Sequence, residues 1–315
     1  MSRYDVLLVD GMNLVHRAQH GGNELSTRLP GVDEDIPIGA VYQFIRSAVI
    51  LHDEHGGPKV PLIVCWEGDR EDGGWRRELF PGYKSGRNRS GDIDAQVDIL
   101  QDLLTTCGWS QAWSDRHEAD DTLATLARHL EARDKRVGIV TGDHDLHQCV
   151  TKNVHIIDPN GHRHDLVNNT WKLRDVRHRW TVEPGRVPDV KALMGDSSDS
   201  VPGAKGIGKL WAHGLIRTYG TLDILLAHVK KDPEVLATMA DGSVKRSVTK
   251  GRSIRDEDTQ IRTYRRIVTT VDSAPVDFFP RAYDAGAVVQ KFRDLKFASL
   301  LAPSTLKTIG QIANA

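Results

Sequence analysis

The sequence predicts an α/β protein organised on a parallel sheet, and three observations predict it. Four short apolar runs read as buried strands: Val6-Leu7-Leu8-Val9, Leu62-Ile63-Val64-Cys65-Trp66, Val137-Gly138-Ile139-Val140 and Val154-His155-Ile156-Ile157. Between them lie segments whose apolar residues recur at helical spacing. Acids leave the carboxyl ends of the first three runs, at Asp10, Glu67, Asp143 and Asp145, and in open α/β sheets that end is where ligands bind.

After the first strand comes Asp10-Gly11-Met12-Asn13, then a helix carrying Leu14, Val15 and Ala18. An acid here serves a metal or phosphate, or caps the helix; both readings stand at this point. The haloacid-dehalogenase phosphatases need a second Asp two residues on, and Met12 occupies that position. Residues 21–37 are loop-like. Gly39 to Leu51 forms a helix with Val41, Phe44, Ile45, Ala48 and Val49 inward, ended by Gly56-Gly57-Pro58. Glu67 follows the second strand, with Asp69 two residues on. From Trp75 to Arg87, Trp75, Phe80 and Tyr83 interleave with Arg76, Arg77, Lys84 and Arg87, a composition suited to stacking on bases and pairing with phosphates. Asp92 to Cys107 is helical, with Val97, Leu100, Leu103 and Leu104 inward.

Glu118-Ala119-Asp120-Asp121 opens an amphipathic helix through Leu123, Leu126, Ala127 and Leu130. Acids in a first turn suit the helix dipole without any ligand, so the number of acids at one rim, not any single one, carries the functional reading. His162 and His164 lie on a polar loop after Asn160-Gly161 and read as surface histidines. Asp196 and Asp199 precede Gly203-Ala204-Lys205-Gly206-Ile207-Gly208-Lys209, a glycine order that is no dinucleotide fingerprint but fits a hairpin between two helices. Such glycines admit a ligand close to the backbone, and the next helix start can hold a phosphate. From Thr221 the chain reads as mostly helical, and Val288 to Leu301 as a closing helix that packs back on the body.

The 315 residues suffice for one large domain or two smaller ones. Forty-two Lys and Arg against 43 Asp and Glu give a net charge of −1, so the total names no partner. The distribution says more. Cations crowd residues 70–89 and again 245–266, a distribution that fits a polyanion ligand with metal ions and also fits an ordinary solvated surface. Cys65, Cys107 and Cys149 form no CxxC pair, which points to a reducing compartment without zinc. No apolar run reaches the ~20 residues of a membrane span, and the start runs into a strand rather than a signal peptide, so a cytoplasmic protein without a membrane partner is expected.

These motifs together resemble the 5′ nucleases of the flap endonuclease and 5′–3′ exonuclease superfamily, in the bacterial and bacteriophage branch that includes the 5′-nuclease domain of DNA polymerase I. The resemblance rests on Val9-Asp10-Gly11 with Arg17-Ala18, and on Arg76 with Tyr83-Lys84 and Arg87. It continues through Glu118-Ala119-Asp120-Asp121, Thr141-Gly142-Asp143-His144-Asp145-Leu146, Gly195-Asp196-Ser197-Ser198-Asp199, Pro202 to Gly208, and Leu295 to Leu301. It implies a PIN-like (Rossmann-like) parallel sheet with helices on both faces in residues 1–185, with an arch at about 73–94. A helix-hairpin-helix DNA-binding region with a closing helix would fill 186–315. The family has an Asp after the second strand; here Glu67 holds the strand-end position and Asp69 the better spacing to Arg76, and both stay open.

The resemblance implies two Mg²⁺ ions, replaceable by Mn²⁺, and allows K⁺ at the hairpin. Asp10, Glu67, Glu118 and Asp120 would serve mainly the first metal, and Asp143, Asp145, Asp196 and Asp199 the second; Asp121 would bind directly or through water. Lys84 and Arg76 would contact the scissile phosphate, Tyr83 would stack on an unpaired base, and Arg87 would contact DNA. Gly203, Lys205, Gly206, Gly208 and Lys209 would hold the downstream duplex. The physics agrees with a metal: two like charges ~4 Å apart repel by about 4 kcal/mol even at an effective dielectric of 20. Hard, partly hydrated Mg²⁺ suits a carboxylate-rich cleft. The expected partner is DNA with 5′ flaps, ends or nicks, met by a monomer that works beside a separate polymerase. A PIN-like ribonuclease is the nearest rival, disfavoured by the hairpin. A non-catalytic reader of DNA junctions would keep the cations without needing the acids.

Overall fold

The computed structural model describes residues 3–20, 25–28, 35–68, 74–85, 91–159 and 169–315. In chain order these form β1 (Val6–Asp10), α1 (Gly11–His20), β2 (Ser26–Thr27), β3 (Ile36–Pro37), α2 (Gly39–His55), β4 (Leu62–Cys65), α3 (Gly74–Leu79), α4 (Gly91–Thr106), β5 (Ser110–Trp113), α5 (Ala119–Glu131), β6 (Val137–Val140), β7 (Val154–Ile157) and β8 (Thr170–Trp171). The rest of the chain adds α6 (Leu173–Trp180), α7 (Val187–Met194), α8 (Lys209–Tyr219), α9 (Leu222–Lys231), β9 (Val235–Thr238), β10 (Val244–Ser247), α10 (Val248–Asp256), α11 (Asp258–Val268), β11 (Asp277–Phe278), α12 (Ala285–Asp294) and α13 (Pro303–Ala313).

Among the described residues the main sheet runs β11-β5-β4-β1-β6-β7-β8. Its five central strands are parallel, and the edges β11 and β8 are antiparallel. The chain builds outward from β1 to β4 and β5, then crosses to the other side of β1 for β6 and β7. That reversal makes β1 and β6 the topological switch point, and the crevice outside their carboxyl ends is where such sheets take ligands. All four predicted strands are present.

The two faces of β1 seed two cores, because successive side chains point to opposite sides of a strand. Leu7 and Val9 pack with α1, α2, α4 and the C-terminal helices, through residues such as Phe44, Val97, Phe292 and Ile309. Val6 and Leu8 pack with α5 and then continuously into α7, α8 and α9, through Leu123, Leu193, Leu215 and Leu225. The tail closes the first core, as expected, but as two helices, α12 and α13, joined by the 3₁₀ turn Ala298–Leu301.

Two expectations change, and a third gains detail. β5 went unpredicted because its sequence, Ser-Gln-Ala-Trp, lacks β-branched residues. Its fully buried Gln111 is tolerated because its side chain accepts from the Trp66 indole and donates to the Gln101 carbonyl and the Thr105 hydroxyl. The region after Thr221 is mostly helical, as expected, with one addition: β9 and β10 form an antiparallel hairpin, and β11 returns to pair with β5. Last, the described part of the expected arch does not stand clear of the body. α3 and the turn at 81–85 lie against it, with Arg76 and Tyr83 buried.

Candidate metal centre

The ends of β1, β4 and β6 and the start of α5 bring the first acids together. Asp10 closes β1 and is buried. Its carboxylate accepts the Asn13 amide at 3.0 Å and the Thr141 hydroxyl at 2.9 Å. The Asn13 side chain in turn accepts the Gly142 amide at 2.9 Å, which ties the ends of β1 and β6. Burial, only partly offset by those two hydrogen bonds and reinforced by the charges of Asp143 and Glu67, pushes the Asp10 carboxyl up to about 7. Asp120 is pushed well up by burial and by Asp143, Asp10 and Glu118. These carboxylates therefore repel one another in a poorly hydrated place, the condition a divalent cation relieves.

Glu118, the N-cap of α5, behaves differently. Burial raises its carboxyl, but Lys84 and Arg76 outweigh that and hold it below the usual range. Lys84 Nζ donates to one Glu118 oxygen at 2.6 Å, and the Tyr83 hydroxyl lies 3.0 Å from the other. The same hydroxyl lies 3.2 Å from Asp199, so Tyr83 links the first acids to a second group. Lys84 adopts φ +52°, and its amide donates to the Asp199 carbonyl at 3.0 Å. A non-glycine residue in that region costs of order 1–3 kcal/mol, which the surrounding contacts hold in place.

The second group comes from the turn after β6 and from the start of the α7–α8 connection. Asp143 caps the 3₁₀ turn His144–Cys149 by accepting the Asp145 amide at 2.8 Å. Asp145, Asp196 and Asp199 offer carboxylate oxygens that all lie within 4.8 Å of one another. Lys191, a buried lysine of α7, ion-pairs with Asp145 and reaches Asp196 at 2.5 Å. Burial raises Asp196, but the Lys191 ammonium and the Ser198 hydrogen bonds outweigh it and hold the carboxyl low. A cavity of about 470 Å³ opens over Asp143, Asp145 and Asp196 and extends to Lys209. The donors in both groups are hard oxygens with no thiolate among them, which fits Mg²⁺ or Mn²⁺.

Beyond Asp196, α7 and α8 are joined by the hairpin turn. Asp196 and Val201 form an isolated antiparallel bridge. Gly195 and Gly203 both adopt positive φ, and a Cβ on Gly203 would fall 2.3 Å from the Gly195 nitrogen, so the turn closes only with glycine there. The far side of the turn is held by α10 and the residue after it: the Ser253 hydroxyl donates to the Lys205 carbonyl at 2.8 Å, the Lys205 amide donates to Glu257 at 2.9 Å, and Lys250 bonds the Gly206 carbonyl. Gly208 caps α8, and Lys209 begins it.

Three residues expected in the chemistry sit elsewhere. Arg76 donates to both oxygens of Asp121, at 2.6 and 2.7 Å, and to the Ile267 carbonyl at 2.8 Å. Asp121 also accepts the Val271 and Glu118 amides and is fully buried. Its lone pairs are taken, so it does not act as a metal ligand in this arrangement. Arg76, 3% exposed, offers nothing to a phosphate; the pair fastens α3 to the segment after α11. Tyr83 is 2% exposed and presents no face to a base. Glu67 acts on Asp10 through its charge, while Asp69, Arg87, His162 and His164 lie outside the described residues. Sequence reasoning passed over Lys191 and Thr141. A buried-looking lysine among Val187, Val190, Ala192 and Leu193 was the available signal for the first; the second stood at the head of the Thr141-Gly142-Asp143 motif without a role of its own.

Residues 5–180 match the family described as 5′-3′ exonuclease, N-terminal resolvase-like domain, and residues 182–291 match 5′-3′ exonuclease, C-terminal SAM fold. The chain is 33% identical over 227 residues to thermostable DNA polymerase I of Thermus aquaticus, covering 72% of this chain and 25% of that protein. Against DNA polymerase I of Pseudomonas aeruginosa it is 30% identical over 303 residues, or 96% of this chain and 31% of the relative. The chain thus spans about a quarter to a third of the length of these curated relatives. Among solved structures, a bacteriophage T5 flap endonuclease complex with DNA and metal ions shares the fold at a TM-score of 0.61, with 18% identity and coverage of 98% and 99% of the two chains. The catalytic core of Rad2 in complex with a DNA substrate aligns at 0.56, with 15% identity over 96% and 92%. With more than half of its length matched by the N-terminal domain alone, and residues 182–291 by its C-terminal companion, the chain belongs to the 5′-3′ exonuclease family.

Proposed function

We propose that this protein is a structure-specific 5′ nuclease that hydrolyses DNA phosphodiesters at 5′ flaps, ends or nicks with two divalent ions. The observation that carries the reading is the pair of acid groups around one cleft, Asp10, Asp120 and Asp143 beside Asp145, Asp196 and Asp199, with a lysine at the rim of each. The T5 enzyme's name and the DNA and metal ions in its complex support it. Bound there, Mg²⁺ or Mn²⁺ would supply Lewis-acid activation of water and of the phosphoryl oxygens. Asp10, Glu67, Glu118, Asp120 and Asp143 would hold one ion, and Asp145, Asp196 and Asp199 the other.

The chain's own groups do the rest. Lys84 exchanges its Glu118 partner for a non-bridging oxygen of the scissile phosphate. Asp10, kept oriented by Asn13 and Thr141, would hold a metal ion only in its deprotonated form. Water adds across the phosphodiester, leaving a 5′-phosphate and a 3′-hydroxyl. Gly203, Gly206 and Gly208 let the duplex backbone approach the turn, with Lys205 and Lys209 pairing to phosphates. The Lys205 and Gly206 carbonyls are already engaged by Ser253 and Lys250, so a K⁺ ion at the hairpin would depend on other carbonyls of the turn. The reading includes a nuclease part to about residue 185 and a DNA-binding part beyond it, a monomer, a cytoplasmic site of action and a separate polymerase. Among the described residues no helix is long and apolar enough to cross a membrane.

The test is a 5′-labelled flap duplex incubated with the protein in Mg²⁺, with EDTA and Asp145→Asn as controls. Short products at the junction, lost in both controls, are expected. Tight binding with no cut strand in Mg²⁺ or Mn²⁺ would replace the nuclease with a reader of DNA junctions.

A further inference from the structure

The second basic segment, residues 245–266, divides in the structure. In its latter half Arg262 and Arg265 both pair with Asp223, at 2.7 and 2.6 Å, and Arg266 lies over the Trp75 ring. Those cations brace the protein. The former half, on β10 and α10, does something else. Lys245, Arg246, Arg252 and Arg255 are exposed. Lys245 and Arg252 form no ion pair among the described residues. Arg246 meets Glu234 only at 3.9 Å between exposed groups, and Arg255 pairs with its own neighbour, Asp256. We propose that the β9–β10 hairpin and the outer face of α10 form a basic ridge that binds the backbone of duplex DNA as an extension of the α7–α8 turn. The identity of the ligand as DNA rests on the nuclease reading above.

The ridge is rigidly mounted. Val235 and Ala237 of β9 are fully buried. The outer edge of β9 is hydrogen-bonded to α8: the Thr238 amide donates to the Thr218 hydroxyl at 2.9 Å, the Leu236 amide to the Tyr219 hydroxyl at 3.2 Å, and Arg217 to the Thr238 carbonyl at 3.2 Å. On the other side α10 presses on the chain before β9 so closely that a Cβ at Gly251 would fall 1.9 Å from the Pro233 carbonyl oxygen. Continuity with the turn is direct, because Lys250 and Ser253 bond the Gly206 and Lys205 carbonyls. The same helix that carries Arg252 and Arg255 outward therefore clasps the turn with its other face. The composition selects duplex over single strand. Single strands are gripped by aromatic stacking platforms, and Val235–Ser247 contains no aromatic residue; its exposed charges are Lys245 and Arg246, suited to phosphates, and the turn's Asp241.

The experiment measures the salt dependence of binding, in EDTA so that no strand is cut, to a duplex of about 20 base pairs (roughly two helical turns) and to a single strand of the same length. Wild type is compared with Lys245→Gln/Arg246→Gln and, separately, with Arg252→Gln/Arg255→Gln, after thermal unfolding shows that each variant folds. Each lost phosphate contact lowers the slope of log K against log salt by about 0.9, so each double variant should lose up to roughly 2 from its duplex slope and leave the single-strand slope unchanged. An unchanged duplex slope would overturn the ridge, leaving its cations as guards of an exposed strand edge. An equal loss on single strand would overturn the duplex assignment. Flap cleavage by wild type in Mg²⁺, measured alongside, tests the nuclease reading separately: its failure leaves the slope result intact, and a flat slope difference sinks the ridge whatever the cleavage result.

Discussion

The two acid groups of the cleft are built from the same side chain and are managed in opposite ways. Among the described residues Asp10 and Asp120 form no ion pair, Lys84 only partly offsets the charge on Asp120, and burial with mutual repulsion lifts their carboxyls far above the ordinary range. Asp145 and Asp196 share a buried ammonium, Lys191, supplied by the hairpin's first helix, and Asp196 is held low. One group stores unfavourable electrostatic energy that a divalent ion would release; the other arrives with an internal counterion that an ion would have to displace. A carboxylate's position at a strand end therefore says where it lies, and its nearest cation decides how strongly it calls for metal.

Asp121 shows the extreme case, an acid removed from the cleft by full pairing, and the largest expected effect lies there. Breaking a buried ion pair by removing one partner costs about 3–5 kcal/mol. Arg76→Met should lose stability of that order in denaturant unfolding, and Arg76→Met/Asp121→Leu should recover much of it. A near-neutral Arg76→Met would mean that the guanidinium is free for substrate after all.

The pH dependence of stability separates the two groups next. Asp10 titrates near 7 in the fold against 3.8 for the free group, so its protonated form is the one the fold favours. That contribution is complete below about 4 and is lost as pH rises through 7. Between those limits metal-free wild type should lose a few kcal/mol relative to Asp10→Asn, and saturating Mg²⁺ should reverse the trend. Parallel curves for the two proteins would remove the repulsion from the account.

For the second group the lever is Lys191. Lys191→Met leaves Asp145 and Asp196 facing each other uncompensated, at a cost of about 1–3 kcal/mol or more. Without metal its melting temperature should fall below wild type, and Mg²⁺ should raise it by a larger increment than it raises wild type. Equal increments would show that the ammonium does not compete for the site. The smallest effect belongs to Tyr83→Phe, which removes one hydroxyl shared by Glu118 and Asp199 and should cost about 0.5–1.5 kcal/mol. A variant in which flap cleavage collapses while stability is kept would return Tyr83 to a direct role on the substrate.

The sheet and the acid rim were legible in the sequence because β-branched runs ending in Asp or Glu combine two strong local signals. β5 was not, since a buried Gln satisfied by three partners looks polar in one dimension. The β9–β10 hairpin carried an Asp241-Gly242 turn signal, masked by the basic residues that follow it. Arg76, Tyr83 and Asp121 were placed in the right neighbourhood, but spacing along a chain does not reveal which groups pair. Asp121 lies one residue from Asp120 and faces a different partner altogether. Lys191 was invisible for the same reason: its two acids lie 46 and 5 residues away along the chain, and only the fold brings them together.

The most direct test of the contrast is Mn²⁺ titrated into crystals of the metal-free protein, with anomalous scattering read at limiting and at saturating ion. The account predicts a first peak among Asp10, Asp120 and Asp143, and a second among Asp145, Asp196 and Asp199 that fills later and displaces the Lys191 ammonium. A first peak at Asp145, Asp196 and Asp199 with Lys191 still in place would contradict it.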